Sequence, residues 1–212
     1  MYKTYFDIEQ GSDEWLNLRR WKLTGGKISP LLSKKRTLWW EKLIDKLLAE
    51  VYINENYEAI KSFAMERWLE LEEEAKKVFE KEKNKKIKNI WFIEKQFKSL
   101  KLGCSPDGLI WKKEAIEIKC PLWEKTINYF LNFDNIFKDY KWQILNYFLV
   151  IDDLEILYFM IYNPDLKSKI NYKIYEIKKE DIEEDLKRIK MNIVEFEKDY
   201  NEAEINFILE LN

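Results

Sequence analysis

The chain has 212 residues, 46% hydrophobic and 36% charged, a mixture typical of a folded protein with a charge-rich surface. It contains no histidine, which excludes Ser-His-Asp and Cys-His nucleophiles, His-ligated zinc and a histidine general base. Two cysteines, Cys104 and Cys120, are too few for a structural zinc site or an iron–sulfur cluster, so we expect reduced, buried thiols. Residues 1–10 are polar and no apolar run approaches about 18 residues, so we expect a cytoplasmic protein without a membrane span.

The net charge of −2 conceals an uneven distribution of charge along the chain. Residues 15–36 include seven basic residues and no acid, whereas residues 180–204 include ten acids and four bases. The first segment could attract polyanions and the second repel them, which would steer phosphate to one side of the fold. The alternative, favoured for the acidic segment, is that both are ordinary solvated faces.

Helix signals dominate the first part of the chain, about residues 12–84. Ser12 begins a short helix, Gly25 and Gly26 interrupt the chain, and residues 28–32 suggest a second short helix.

Two longer helices follow in the sequence. Thr37 caps the first of them, and its expected buried stripe consists of Leu38, Leu43, Leu47 and Val51. The second runs over about residues 57–82, with Leu71, Ala75 and Phe79 towards the core.

Strand signals dominate about residues 88–178. The alternating and apolar segments predict strands over residues 90–100, 108–111, 115–120, 154–162 and 172–177. A helical stretch after Pro121 ends in an apolar run over residues 140–150, and a charged helix occupies about residues 180–210. This order predicts a single α/β domain over residues 1–212, with a central mixed β-sheet flanked by helices.

A compact set of polar residues lies on two of the predicted strands. A Pro-Asp-Gly turn sets Asp107 at the start of one strand, and Glu117 and Lys119, two residues apart on the next, share one face. An Asp, a Glu and the backbone carbonyl of Ile118 at a sheet edge would suit Mg²⁺ or Mn²⁺. Lys119 could then orient or deprotonate an attacking water. Glycines flank the turn, at positions 103 and 108, and would permit close approach of the backbone to a ligand.

The pattern leaves two choices open. A second copy, Asp165 followed by Glu176 and Lys178, has nearly the same spacing, but it lacks flanking glycines and runs into the acidic residues 180–185. The first copy is therefore favoured. A third carboxylate would strengthen the site, and periodicity alone does not choose among Glu70, Glu72, Glu73, Glu74 and Glu80.

Several motifs, in order over about residues 11–181, resemble the lambda exonuclease (YqaJ-type viral recombinase) branch of the PD-(D/E)xK nuclease superfamily. They are Trp15-x-x-Leu18-Arg19 with Leu23-Thr24, the helix over residues 38–51, Leu71-Glu72-x-x-Ala75, Cys104-Ser105-Pro106-Asp107-Gly108-Leu109, Glu117-Ile118-Lys119-Cys120-Pro121 and Tyr140-x-x-Gln143.

The resemblance implies a restriction-endonuclease-like core and a Mg²⁺-dependent 5′-to-3′ exonuclease, with Mn²⁺ able to substitute. Such an enzyme digests one strand of linear double-stranded DNA from its end and leaves 3′ single-stranded tails for recombination. The family also implies a homotrimeric ring around DNA and a single-strand annealing protein as partner, in the bacterial host cytoplasm if the chain is phage-encoded.

The resemblance also implies roles for individual residues. Asp107, Glu117 and the Ile118 carbonyl would bind the metal, Glu72 would complete the set partly through water, and Lys119 would position the nucleophilic water. Arg19 would hold the 5′-terminal phosphate. The expected DNA and 5′-phosphate contacts are Arg19, Thr24, Gly26, Lys34, Lys35, Arg36 and Gln143.

Three residues depart from the family pattern. Trp68 replaces a small residue on the helix of Glu72, Gly26 replaces a serine of the phosphate pocket, and Leu145 replaces a second glutamine. These changes leave the expected metal centre intact and bear on end recognition.

Two alternative functions stay open at this point. One is an endonuclease of the same superfamily, of restriction or junction-cleaving type, which would cut closed circular DNA. The other is a DNA-binding or inhibitory module whose nuclease core has decayed. A Cas4-like or RecB-like iron–sulfur nuclease is disfavoured because two cysteines do not supply the four ligands that it needs.

Most of the aromatic residues are expected in the core. The pair Trp39-Trp40 stands out because it follows the basic residues 34–36, so that bases and phosphates could be contacted together.

Overall fold

The computed structural model describes residues 2–8, 10–33, 36–53, 63–111, 113–167 and 169–211, without the side chains of residues 63–70 and 123. In the N-terminal part the elements are β1 (Tyr2–Tyr5), α1 (Asp13–Arg19), β2 (Lys22–Thr24), α2 (Gly25–Ile28), a 3₁₀ turn (Ser29–Leu32), α3 (Leu38–Tyr52) and α4 (Phe63–Lys83). They are followed by β3 (Phe92–Phe97), β4 (Leu100–Cys104), β5 (Gly108–Ile110), β6 (Glu114–Lys119), α5 (Trp123–Leu131), α6 (Phe133–Val150), β7 (Ile156–Tyr162), β8 (Tyr172–Lys178), a 3₁₀ turn (Lys179–Ile182) and α7 (Glu183–Glu210).

The strands form two four-stranded mixed sheets. The first has the order β1-β3-β4-β2, in which only the β2/β4 pair is parallel, and the second has the order β5-β6-β7-β8, in which only β6/β7 is parallel. Residues 105–107 lead from β4 of the first sheet to β5 of the second. The predicted α/β class with mixed sheets and flanking helices is confirmed, and the β-layer is divided between two sheets.

Helices cover both faces of the second sheet. On one side, α6 contributes a buried run from Ile144 to Val150 to the larger core, together with residues of α3 and α7. On the other side, Ala75 and Phe79 of α4 pack in a smaller core with Ile118 and Met160. Because α4 is held against β6, its buried glutamate, Glu72, lies near Glu117 of that strand. In the described part of the chain, no helix is long and apolar enough to cross a membrane.

Three strands were not predicted. β1 precedes the part expected to be helical and β2 lies within it, and the predicted strand over residues 90–100 ends at Phe97, after which the chain turns into β4. Lys98 adopts a positive φ of 51° at that turn, which lets β3 and β4 pair as an antiparallel hairpin.

The prediction that Gly25 and Gly26 interrupt the chain is wrong, since helix α2 begins at Gly25 after Thr24 at its N-cap. A Cβ atom on Gly25 would lie 3.0 Å from the ring of Trp142, so the glycine allows α2 to pack closely on α6.

The buried stripe of α3 is also shifted from the prediction. Leu43 and Leu47 are buried as expected, but Leu38 and Val51 are exposed. Trp40, Ile44 and Glu50 are buried with the two leucines, at positions that share one helix face.

The basic and acidic segments do not lie on opposite sides of the fold. Arg36 contacts Asp199 of α7 at 3.3 Å, and Asn192 of the same helix donates a 2.7 Å hydrogen bond to the carbonyl of Leu31. The basic segment and α7 therefore adjoin at these two contacts, and the steering of phosphate to one side of the fold stays a prediction.

Candidate active site

Asp107 is fixed against β6 by two hydrogen bonds. Its backbone N–H donates to the carbonyl of Ile116 at 3.1 Å, and its Oδ2 accepts from the backbone N–H of Ile118 at 2.6 Å. The side chain is buried, so the carboxylate lies inside the protein beside the middle of the neighbouring strand.

Glu117 and Lys119 lie on one face of β6 and contact each other. The Lys119 ammonium donates to Oε1 of Glu117 and lies 5.3 Å from the ring centroid of Tyr140. Glu117 is only 1% exposed. A carboxylate at such depth requires charged or hydrogen-bonding partners, and the strand supplies the first of them two residues away.

Helix α6 supplies the other partners of Glu117. Gln143 donates through Nε2 to Oε1 of Glu117 and to the hydroxyl oxygen of Tyr147 at 2.7 Å. Tyr147 in turn donates to Oε2 of Glu117. Tyr147 had no role assigned from the sequence, although the positions 140, 143 and 147 lie on one helical face and could have indicated it.

Glu72 enters the site from α4. It is buried, and its Oε1 pairs with Lys76 at 2.8 Å, one helical turn away. Its Oε2 is buried without a hydrogen-bond partner among the described residues. Glu72 is therefore a buried carboxylate whose Oε2 can still bind a donor or a cation.

The three carboxylates influence one another electrostatically. Burial raises the pKa of Asp107 well above its usual value, and the charges of Glu117 and Glu72 raise it further. Burial likewise raises the pKa of Glu72. Burial alone would lower the pKa of Lys119, but the charges of Glu117 and Asp107 outweigh it, so the net shift is upward and the ammonium form is favoured.

Throughout the described ranges, no group of three or more His, Cys, Asp and Glu side chains is arranged to hold a metal ion. The carboxylates instead use protein donors, since Glu117 binds Lys119, Gln143 and Tyr147, and Asp107 binds the Ile118 amide. The donor set nevertheless fits a hard divalent cation. It consists of carboxylate oxygens, and the partnerless Oε2 of Glu72 is a buried atom that a cation would satisfy.

Arg19 lies next to this cluster. Its guanidinium stacks on the ring of Trp15, 4.1 Å from the centroid, and donates to the hydroxyl of Ser105 at 3.3 Å. Trp15 donates to the same hydroxyl at 3.2 Å. The carbonyl of Ser105 lies 3.3 Å from the Tyr147 hydroxyl, so two residues connect Arg19 with Glu117.

The remaining predicted contacts are more dispersed. Thr24 and Gly26 line a cavity with Arg19, and Gln143 belongs to the carboxylate cluster. Arg36 is engaged with Glu41 and Asp199, away from that cluster. Lys34, Lys35 and the side chain of Trp68 lie outside the described residues.

The tryptophan pair separates into two roles. Trp39 is 64% exposed and lines the cavity, whereas Trp40 is 2% exposed and donates through its indole N–H to the carbonyl of Pro30 at 2.9 Å. Trp40 is therefore a core residue that does not offer its ring to a base, and contact of Trp39 with a base stays a prediction.

The glycines around Asp107 accommodate apolar side chains. A Cβ atom on Gly103 would lie 2.3 Å from the Phe92 ring, and one on Gly108 would lie 2.2 Å from Ile87. The expected close approach is thus to the core and not to a ligand. Cys104 is buried as predicted, Cys120 is partly buried, and neither of these two described residues forms a disulfide bond.

The glutamate of the second Asp/Glu/Lys copy is engaged in an ion pair. Glu176, on the terminal strand β8 of the second sheet, forms an ion pair with Lys83 at 2.7 Å.

The sequence and the fold of this chain are similar to those of known proteins. Residues 14–152 match the model of a YqaJ-like viral recombinase domain. The crystal structure of an alkaline exonuclease (LHK-Exo) from Laribacter hongkongensis is 21% identical and has a TM-score of 0.71, covering 95% of this chain and 100% of that chain. The same exonuclease in complex with dAMP has a TM-score of 0.73 at the same identity and coverage.

A phage related exonuclease from Haemophilus somnus 129PT is 13% identical and has a TM-score of 0.60, covering 92% of this chain and 99% of that chain. At these identities the structural similarity establishes a shared fold. A comparison with curated proteins gives no match.

Proposed function

The chain belongs to the YqaJ-like viral recombinase family, and on that premise we propose that it is a Mg²⁺-dependent exonuclease that digests one strand of linear duplex DNA from the 5′ end and leaves 3′ single-stranded tails. The observation that carries the proposal is the buried cluster of Glu72, Asp107 and Glu117 with Lys119 at its edge. The three similar structures belong to two proteins named as exonucleases, and one of these structures holds dAMP; they support the same class of reaction.

The proposed metal ligands are Asp107, Glu117, the Ile118 carbonyl and Glu72. Bound Mg²⁺ would activate a water and stabilise negative charge on the phosphate, and Mn²⁺ would substitute because it prefers the same oxygen ligands. The charge balance supports this assignment, since three buried acids face two ammonium groups, Lys76 and Lys119.

The protein's own groups would prepare the reaction. Gln143 and Tyr147 hold the Glu117 carboxylate in one orientation from two sides. Lys119, held as an ammonium, would orient the attacking water and offset charge on the phosphate. Arg19, with its planar guanidinium already stacked on Trp15, would bind the 5′-terminal phosphate.

The family supports the wider proposal that the protein acts as a ring-shaped homotrimer on DNA ends, beside a single-strand annealing protein, in the cytoplasm of a bacterial host. Gly26 and Leu145 replace a serine and a glutamine of the family pattern. Recognition of the 5′ end would therefore depend mainly on Arg19.

A gel assay tests the proposed function with three DNA substrates: linear 5′-phosphorylated duplex, linear 5′-hydroxyl duplex and closed circular duplex, each with and without Mg²⁺. We expect Mg²⁺-dependent release of nucleotides from linear DNA, fastest with the 5′-phosphate, and no cleavage of the circle. Cleavage of the circle would instead identify an endonuclease, and absence of any cleavage would identify a decayed module.

Three variants complete the assay: Asp107→Asn, Glu117→Gln and Lys119→Ala. Each should abolish digestion while the protein keeps its fold, as measured by circular dichroism. Wild-type rates in all three would refute the assignment of the site.

A further inference from the structure

A cavity of about 600 Å³ opens between α1, α2 and α3, and we call it the N-terminal cavity. Its volume lies within the range of small-ligand sites. Five cationic side chains contribute to its lining: Arg19, Arg20, Lys27, Lys42 and Lys46. The acid among its described lining residues is Glu50, which is neutralised by contact with Lys27. The lining is therefore positively charged and suits an anion.

Trp39 adds a flat apolar surface to the mouth of this cavity. Its indole is 64% exposed, although the neighbouring Trp40 is fully packed, and the Lys42 ammonium lies 4.8 Å from its ring centroid. A single exposed aromatic residue is common on protein surfaces. An exposed indole beside several cations is different, because a nucleotide presents a base that stacks on an aromatic ring and a phosphate that binds lysine or arginine.

The N-terminal cavity adjoins the candidate active site. Arg19 lines the cavity and also donates to the Ser105 hydroxyl, two residues before Asp107 in the chain. Gly26 leaves room on the opposite wall, since a Cβ atom there would meet nothing within 4 Å. A strand end held near Arg19 would thus have open, charged space beside it.

We propose that the N-terminal cavity receives an unpaired nucleotide at the end of the DNA, whose base stacks on Trp39 and whose phosphates contact the lysines of α3. This inference rests on the proposed function, because that function supplies the DNA end that the cavity would hold. It assigns to Trp39 a role in substrate positioning, and it gives the cavity a ligand class, the terminal unpaired nucleotide.

Fluorescence anisotropy in EDTA tests the inference without cleavage. Two labelled duplexes carry a two-nucleotide unpaired 5′-phosphorylated end, one with normal bases and one with abasic residues at both unpaired positions. The wild-type protein should bind the base-bearing end about 5- to 150-fold more tightly, as expected for a stacked base. Trp39→Ala should bind both duplexes equally, and Trp39→Phe should keep most of the discrimination.

Trp111→Ala is the matched control, because Trp111 is 86% exposed at the turn after β5 and does not line the cavity. It should discriminate like the wild type. The inference is overturned if the wild type binds both duplexes equally, or if Trp39→Ala discriminates as the wild type does. Digestion of linear duplex in Mg²⁺ by the wild type is measured in parallel. A protein that digests but does not discriminate contradicts the cavity assignment alone, whereas loss of digestion contradicts the proposed function.

Discussion

Asp107, which directly precedes β5, accepts a 2.6 Å hydrogen bond from the backbone N–H of Ile118, so its carboxylate is held near the end of β6, where Glu117 and Lys119 flank Ile118. The bond needs an acceptor oxygen on residue 107 but not a negative charge. Structure and charge at this position can therefore be separated by substitution.

Asp107→Asn retains an oxygen that can accept from Ile118 and removes one charge from a buried acidic cluster. We expect digestion to fall by about 10²–10³-fold or more, while the unfolding midpoint in EDTA stays equal or rises, because a repulsive buried charge is lost. Differential scanning fluorimetry with and without Mg²⁺ measures this. Mg²⁺ should stabilise the wild type and not the variant. A variant that unfolds well below the wild type would show that Asp107 is needed for the fold.

Tyr147→Phe removes the hydroxyl that donates to Glu117 and accepts from Gln143. Loss of such a supporting contact typically lowers metal affinity or activity by about 10- to 100-fold. We expect that decrease, together with a shift of the Mg²⁺ titration to higher concentration and a retained fold. Tyr2→Phe is the control, since Tyr2 donates to Asp153, outside the cluster. Equal titrations of Tyr147→Phe and the wild type would contradict a role in orienting Glu117.

Arg19→Ala should change the choice of DNA end more than the chemistry. A guanidinium bound to a phosphate contributes about 1.5–3 kcal/mol, so the wild type should prefer 5′-phosphorylated over 5′-hydroxyl ends by about 10- to 100-fold, and the variant should treat both alike. Initial rates on the two linear substrates measure the ratio. Arg188 lies on the acidic helix α7, so Arg188→Ala should keep the wild-type ratio of rates on the two ends. An unchanged ratio in Arg19→Ala would remove this residue from end recognition.

Glu197 gives the fold a dependence on acid pH outside the candidate site. It accepts from the backbone N–H and the hydroxyl of Ser99, each at 2.7 Å, and pairs with Lys98. Burial raises its pKa, but the Ser99 hydrogen bonds and the Lys98 charge outweigh burial, so the net pKa is lowered.

A pKa that is lower in the folded state stabilises the protein above the unfolded pKa of about 4.3, and this contribution disappears as pH falls through the folded value. Glu197→Gln should cost about 1 kcal/mol of unfolding free energy at pH 7, and the difference from the wild type should narrow below about pH 4. Urea unfolding at several pH values measures it. Glu195→Gln, exposed on the same helix, should change little. A deficit that is constant with pH would contradict the charge assignment.

The sequence predicted those elements whose side-chain pattern repeats over many neighbouring residues. The strands β6 to β8 and the helices α6 and α7 alternate or repeat over many residues, and their predicted positions agree with the structure to within a few residues. β2 could not be predicted in this way. It has three residues, begins just after Trp21 with a positive φ of 46°, and exists because it pairs with β4, far away in the sequence.

The residues of the candidate site were likewise predictable only where the signal was local. Asp107, Glu117 and Lys119 were found from one turn and one strand, where spacing alone determines which side chains share a face. Glu72 came only from the family resemblance, because helix α4 carries several glutamates and packing on β6 decides which of them is buried. Tyr147 was missed, since a buried tyrosine at helical spacing is indistinguishable from a core residue until its hydroxyl partner is known.

Ser105 and Asp107 stand on the same short segment between the two sheets, one in contact with Arg19 and the other in the carboxylate cluster. Pro106 alone separates them in the chain, so their Cα atoms lie at most about 7 Å apart. Thermal movement of one sheet against the other would therefore move both groups together. The distance from a captured strand end to the bond being broken would be set by covalent geometry and would persist while the rest of the molecule flexes.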